Sequence, residues 1–397
     1  MSESPFKISV PDATIVRLRQ KLDLTNLPDE LEGAEWDYGV PLADMKRLVA
    51  RWRDGYDWRQ HEAQINAALP QFTRPIPVEG HGTLSIHYVH QRSEVSGAIP
   101  LLFVHGWPGS FLEAKKIIPL LSEKSEDHPS FHVVAMSLPG YGFSEAPSKK
   151  GFDMAQYAEV GNKLMLALGY NEYVTQGGDW GFAITRAIAR IYGEKHSKAW
   201  HTNFVIGIPP ADGSGSNTEY SATEQAALAR TEWFHAKGSG YRHQHSTKPQ
   251  TLGYSLADSP VGLLAWIYEK LVSWTDNYPW DDDEVLTWVS IFWFSRAGPT
   301  ASIRIYFEAG NHDLGKAFFV SEPKPTIPLG LSHFPKDVLV FPKSWSRGLG
   351  NIVFEREHDG GGHFAAYEKP NQLADDLGKM FGRDGPAFEV VPGHSGY

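Results

Sequence analysis

The chain has 397 residues, 41% hydrophobic and 13% aromatic, enough to bury one large elaborated core or two to three smaller ones. A formal net charge of -10 argues against nucleic acid or anionic membrane as the main partner, since both need a basic face, and turns the expectation toward small molecules. Zero cysteines exclude disulfides, thiolate metal sites and thiol nucleophiles.

The opening MSESPFKISVPD carries no basic region followed by an apolar one, and no run of about 18 apolar residues occurs later. A soluble, cytoplasmic chain without a membrane anchor is expected. Residues 1–97 read as a meander, in which aromatic and charged helical stretches such as RWRDGYDWRQHEAQINAALPQF cannot form a large core alone and should wrap the main domain. From Leu84 strands and helices alternate. LSIHYVHQ has the period of a strand, IPLLFVHG and HVVAMSLPG are buried strands ending in glycine turns, and EYVTQGG leads into the corner QGGDWGF. Between them FDMAQYAEVGNKLMLALGY has Asp153 and Gln156 at capping-box spacing and a stripe of Met154, Tyr157, Val160, Leu164 and Leu168. After the corner, FAITRAIARIYG predicts a helix with Phe182, Ile184, Ala187, Ile188 and Ile191 on its apolar side and Gly193 placed to end it. Strands interleaved with helices imply a mostly parallel sheet covered on both faces, with residues 98–205 forming its first half.

Residues 206–315 break the rhythm. PPADGSGSNTEYS reads as a polar loop, and the Trp-rich VGLLAWIYEKLVSW and VLTWVSIFWF are helical, so an all-helical lid is expected. Strand signals return within 316–397 at PTIPLGLS and NIVFEREH, and NQLADDLGKMFG closes the chain with an amphipathic helix.

The corner carries the first chemical signal. Gly177, Asp179 and Gly181 fit the glycine-x-nucleophile-x-glycine pattern with aspartate at its tip, where glycines permit a sharp strand-to-helix turn that exposes the central side chain. The competing reading is a helix cap, a role aspartate favours. FVHGWPGS follows an earlier strand, where enzymes of this architecture place an oxyanion-hole amide, so Trp107 and Trp180 are the candidate amide donors; a plain Pro-Gly turn is the alternative. In EHDGGGHFAAYEKP, His363 stands between a strand and the last helix, at the same carboxyl edge of the sheet, and comes third in the order nucleophile, acid, histidine. The acid should follow the preceding strand, which selects Asp337 at the end of PTIPLGLSHFPKD over Glu308 and Asp313; a solvated loop carboxylate is the alternative for Asp337. Two decoys are set aside. GFSEA, with Ser144, is followed by Pro147 where a helix should start. His243 and His245 lack carboxylates at ligand spacing and read as a solvated pair, so no metal and no cofactor is expected.

Taken together, YDWRQHEAQINAALPQF, HGWPGS, LPGYGFS, GGDWG, HSTKP, DSPVGLLAWI and GGGHFAA make the chain resemble the microsomal-type epoxide hydrolases, including their soluble fungal members, over nearly its full length. The resemblance implies an α/β-hydrolase core with a helical lid and an N-terminal meander. It implies hydrolysis of a small apolar or aromatic epoxide by water, with Asp179 as nucleophile, His363 as base and Asp337 as the orienting acid. It also implies two lid tyrosines, Tyr241 and Tyr306, which read from the residues alone as ordinary aromatics. A detoxifying or catabolic role would follow, and a homodimer is one assembly to expect.

An aspartate suits this chemistry. A serine that opened an epoxide would become an ether, which water cannot easily cleave, whereas a carboxylate becomes an ester whose carbonyl an activated water can attack. Two rival functions stay open. Haloalkane dehalogenases share the aspartate corner but hold a halide with indole or amide donors, and a catalytically silent hydrolase fold could serve binding alone.

Overall fold

A computed structural model describes residues 3–209, 220–310 and 323–397. The greater part of the predicted polar loop PPADGSGSNTEYS and the alternative acid Asp313 lie outside the described residues. The strands are β1 (Ser4–Phe6), β2 (Gln71–Val78), β3 (Gly82–Gln91), β4 (Ile99–Val104), β5 (Phe131–Met136), β6 (Tyr173–Gly177), β7 (Ser197–Thr202), β8 (Pro328–His333) and β9 (Asn351–Glu357). They form one sheet in the order β1-β2-β3-β5-β4-β6-β7-β8-β9. The first three pairings along it are antiparallel and the remaining five parallel. This is the α/β-hydrolase architecture. The strand order reverses at β4, which has β5 on one side and β6 on the other. A crevice opens beyond the carboxyl ends of strands at such a switch point.

Residues make these elements for local reasons. All six residues of β4 and all five of β6 are buried, as the interior of a covered parallel sheet demands. The helix Met154–Ala167 starts at the predicted capping box, with the Asp153 side chain and Gln156 satisfying each other's backbone donors. Its stripe of Met154, Tyr157, Val160 and Leu164 is buried. In the helix Trp180–Tyr192, Phe182, Ile184, Ala187 and Ile188 are buried as the periodicity predicts, but Ile191 is 51% exposed. The helix ends at Tyr192, one residue past Ile191, and among the described residues no packing partner covers that last turn of the stripe. Gly193 follows its end in ordinary right-handed geometry rather than as a left-handed cap.

Three strands escape the sequence pattern. Pro75 and Pro77 in β2 argue against a strand, yet β1 pairs only with Gln71–Thr73, so the outer edge of β2 is free where the prolines stand and no donor is missed. β1 is three residues long. β7, SKAWHT, has no apolar run and is buried by its neighbours β6 and β8.

Between β7 and β8 the described residues contain helices and no strand, including Ala222–Trp233, Gly240–Thr247, Pro260–Ser273 and Asp282–Trp293. These lie over the carboxyl edge, tied to the core at named points. Trp288 Nε1 donates to the Pro108 carbonyl at 2.6 Å. Arg230 donates through Nε to the Asp337 carbonyl and through Nη2 to that of Lys336, both at 2.6 Å. No helix among the described residues is long and apolar enough to cross a membrane.

Candidate active site

β4 and β6 run in register from Leu101 opposite Val174 to Val104 opposite Gly177, so their carboxyl ends are level and the segments that follow them meet. Close approach needs glycine at two places. A Cβ on Gly181 would lie 1.9 Å from the Val104 carbonyl oxygen, and one on Gly106 would lie 2.1 Å from Asp179 Oδ1. Gly181→Ala is therefore expected to lower stability by about 2 kcal/mol or more, on the scale of an overpacked core, since the obstacle is backbone and cannot rotate away. A denaturant midpoint equal to that of the unsubstituted protein would refute this account of the corner.

Asp179 occupies the tip at φ 52° and ψ -126°, a left-handed conformation that costs an ordinary side chain roughly 1–3 kcal/mol and persists where the surroundings enforce it. Its carboxylate makes no capping bond to the helix it precedes. Instead Oδ1 accepts the Trp107 backbone N–H at 2.7 Å. Trp180 is the first residue of that helix, at the end where backbone N–H groups lack intrahelical partners. Asp179 Oδ2 lies 3.5 Å from His363 Nε2, and His363 Nδ1 lies 2.7 Å from Asp337 Oδ1.

The acid and the histidine are held by their own loops. β8 and β9 are neighbours, a bridge between Lys336 and Gly362 joins the loops beyond them, and Lys336 N–H donates to the Gly361 carbonyl at 3.0 Å. Asp337 is 3% exposed, which removes the solvated-loop alternative, and its Oδ1 also accepts the Val338 N–H at 2.6 Å. His363 N–H donates to the Trp274 carbonyl at 2.8 Å, and the Trp274 and Phe204 rings meet the imidazole edge-on. Burial lowers the His363 pKa, but Asp337 and then Asp179 outweigh it and hold it up at about 10.

Tyr241 and Tyr306 come from separate lid helices and are both buried, with ring centroids 5.8 Å apart and nearly perpendicular planes. Tyr241 stacks on the Trp107 indole at 5.2 Å, and Tyr306 meets the Trp180 indole edge-on at 4.8 Å. Burial above all, with Asp179 adding to it, pushes both phenols well above their ordinary range, so they are protonated donors. Thus the five candidate side chains and the two tryptophans converge on one place.

The decoys and omissions fall elsewhere. Ser144 is buried and donates to the Ser137 carbonyl at 2.7 Å, a turn-holding role. Glu308 accepts the Gly151 N–H at 2.8 Å. His243 is exposed, but His245 is fully buried among the site's aromatics, so the reading of a solvated pair is corrected. The helical spacing of Tyr241 and His245, four residues apart, would have shown that both face one way. Glu113 was also missed: its carboxyl lies against Gly109, and burial, opposed by His363 and reinforced by Asp179, pushes it up to about 8. No periodicity signals a carboxyl folded back beneath its own loop.

Comparisons with known proteins match this chain over nearly its whole length. Residues 3–114 match the family model for the epoxide hydrolase N terminus, and residues 99–255 match the alpha/beta hydrolase fold. The chain is 40% identical over 390 residues to a chain of Stigmatella aurantiaca assigned to the epoxide hydrolases, covering 95% of this chain and 84% of that one. It is 36% identical to epoxide hydrolase 1 of Sus scrofa, covering 95% and 88%. The solved Aspergillus niger epoxide hydrolase superposes with a TM-score of 0.83 at 36% identity, with 95% of each chain covered.

Proposed function

This chain belongs to the epoxide hydrolase family, and from that premise we propose that it converts epoxides to vicinal diols through an ester on Asp179 that a water activated by His363 then cleaves. The observation that carries the reading is the shared carboxylate of Asp179: Oδ1 is bound by the Trp107 amide and Oδ2 faces His363 Nε2. With Oδ1 anchored, Oδ2 is the oxygen free to attack.

Ring opening breaks a carbon–oxygen bond and leaves charge on the departing oxygen. Tyr241 and Tyr306 supply two O–H donors for it where bulk water is excluded, and such preorganised donors act most strongly in a dry site. The surrounding indoles of Trp107, Trp180 and Trp274 suit a small apolar or aromatic substrate. The phenol pair also favours an epoxide over a haloalkane, because an opened epoxide leaves an alkoxide that must be protonated, whereas a halide departs as a stable anion.

The histidine is poised for the second step by the charge of the first. In the resting enzyme two carboxylates hold His363 protonated. Esterification removes the charge on Asp179 and so part of what raises the imidazole pKa; the alkoxide takes a proton from a phenol, His363 gives up its own proton to water, and the phenolate regains one from that water. His363 is then neutral when a base is required. It takes a proton from water as the hydroxide oxygen bonds to the ester carbonyl carbon, and the tetrahedral oxyanion is held by the amides of Trp107 and Trp180. Collapse breaks the bond from the ester carbon to the substrate oxygen, the proton of the new carboxyl group passes to that oxygen to complete the diol, and Asp179 returns as the carboxylate beside a protonated His363.

Tyr241→Phe and Tyr306→Phe test the reading directly. Each should slow ester formation by roughly 10²-fold, the scale of one lost oxyanion donor, and the double variant should be nearly inactive. Hydrolysis of an ester already formed should change much less. Rapid-mixing tryptophan fluorescence reads the first step, since Trp107 and Trp180 flank the nucleophile. Ester formation at the original rate in both single variants would make the tyrosines packing residues, and parallel assays with an aryl epoxide and a haloalkane would then decide between the two leaving groups.

A further inference from the structure

The loop that carries His363 is gripped by the lid through its backbone. Three consecutive N–H groups find acceptors on or beside one lid segment: Gly361 donates to Asp276 Oδ2 at 2.9 Å, Gly362 to Glu368 Oε1 at 2.9 Å and His363 to the Trp274 carbonyl at 2.8 Å. Trp274 caps the C-terminal end of the lid helix Pro260–Ser273, and Asp276 lies two residues further on. Glu368 ends the short helix Ala365–Glu368 that follows the histidine, and it reaches back to the lid, where its Oε2 accepts the Asp276 N–H at 3.0 Å. One carboxylate thus spends one oxygen on the histidine loop and the other on the lid.

This contact accounts for the glycines of the loop. A Cβ on Gly362 would lie 2.5 Å from the Trp274 carbonyl oxygen and 3.0 Å from Glu368 Oε1, and one on Gly360 would lie 3.1 Å from Asp276 Oδ2. Gly361 stands at φ 107°, a conformation open to glycine. On the other side of the loop the Gly361 carbonyl accepts the Lys336 N–H, next to Asp337. The loop is therefore held between the lid and the segment that carries the acid. Burial raises the Glu368 pKa, the amides of Asp276 and Gly362 oppose it, and the charges of Asp337 and Asp276 add to the rise. A carboxylate set there against burial and two like charges, one turn after the histidine, calls for a functional explanation.

From these bonds we propose that Glu368 and Asp276 are positioning residues, a carboxylate clamp that fastens the histidine loop to the lid and so aims the His363 imidazole at the water that cleaves the ester. The geometry they must preserve is narrow. Nδ1 has to stay on Asp337 at 2.7 Å while Nε2 faces the ester carbon of Asp179, whose Oδ2 is 3.5 Å away, and a shift of about 1 Å can cost roughly 10²-fold in rate. The clamped segment also touches the other half of the site. The Trp274 ring lies against His363 at 5.0 Å and against Tyr241 at 5.2 Å between centroids, so a seated lid brings the base and a phenol donor into register together. The inference rests on the epoxide-opening reading above and names the groups that serve its second step.

The test separates the two half-reactions. In a single turnover of an aryl epoxide, rapid quench and intact-mass spectrometry follow the ester as it forms and as it decays. Glu368→Gln has the same size but one acceptor oxygen, so its amide nitrogen must face one of the two backbone donors. Ester decay should then slow roughly 10- to 100-fold, while ester formation stays within about threefold of the parent rate. Asp276→Asn keeps the single acceptor that Gly361 needs and should decay near the parent rate, whereas Asp276→Ala should slow decay several-fold. The clamp is overturned if Glu368→Gln loses its ester at the parent rate. It is also overturned if Asp276→Asn slows decay as much as Glu368→Gln, since lost charge and not lost acceptor geometry would then be the cause. Slowing of both half-reactions in parallel with a fall in melting temperature would overturn it too, because that is the behaviour of a packing element. If neither the parent nor His363→Gln forms any ester, the covalent reading fails and the clamp falls with it, a result distinct from a parent ester whose decay Glu368→Gln leaves unchanged.

Discussion

Asp179→Ala is expected to lower turnover of an aryl epoxide by roughly 10⁴-fold or more while leaving a folded protein, because the nucleophile is the one group whose removal deletes the covalent route. Alanine leaves the corner without the carboxylate that meets the Trp107 amide, but the strand and helix on either side are held by their own buried faces. An isotope experiment gives the same hypothesis a sharper form. If the ester is cleaved at its carbonyl carbon, one oxygen of the diol comes from Asp179. A single turnover in heavy-oxygen water, with enzyme in excess, should therefore yield unlabelled diol and leave the label in the carboxylate. Label in the diol on that turnover would mean that water attacks the epoxide directly, and Asp179 would be at most a base.

His363→Gln is the second large effect. The nucleophile is intact, so the variant should still be alkylated, but hydrolysis loses its base and should fall by roughly 10²–10⁴-fold, the range for a positioned proton-transfer group. Intact mass should show the protein heavier by one substrate. A folded, substrate-binding variant that gains no mass would count against this division of labour.

The same residue sets the pH behaviour. The resting imidazole titrates at about 10, above its ordinary 6.5. Its interaction with the carboxylates therefore contributes stability that is fully present below pH 6.5 and is lost as pH rises through about 10. Catalysis runs the other way. Ester hydrolysis needs the neutral ring, so its rate should climb with pH through the lower pKa that His363 has once Asp179 is esterified, then level off. The ascending limb should be absent from His363→Gln.

Much of the fold was legible in the chain because its signals are local. The buried runs around β4, β5 and β6 are apolar whatever their neighbours, and Asp153 with Gln156 forms its capping box from four consecutive residues. β2 and β7 were not legible, since prolines are tolerated only where a partner strand happens to end, and SKAWHT becomes a strand only because β6 and β8 flank it. Ile191 followed the helical period correctly and still met solvent, because the period gives a direction and not the extent of the surface it points toward.

The candidate site divides along the same line. The glycine-flanked Asp179, the HGWPGS loop and the order of Asp179, Asp337 and His363 are properties of the sequence by itself, since glycine spacing dictates where a backbone can turn sharply and chain order follows from the fold class. Tyr241 and Tyr306 could be named only by resemblance, and His245 read as solvated. Their burial, the 2.7 Å contact of His363 with Asp337, the anchoring of that loop by Arg230 and the bond from Trp266 to His245 were decided by the tertiary structure. A side chain's protonation, tautomer and availability as a donor depend on groups brought from distant parts of the chain. That is information a local pattern of residues does not contain.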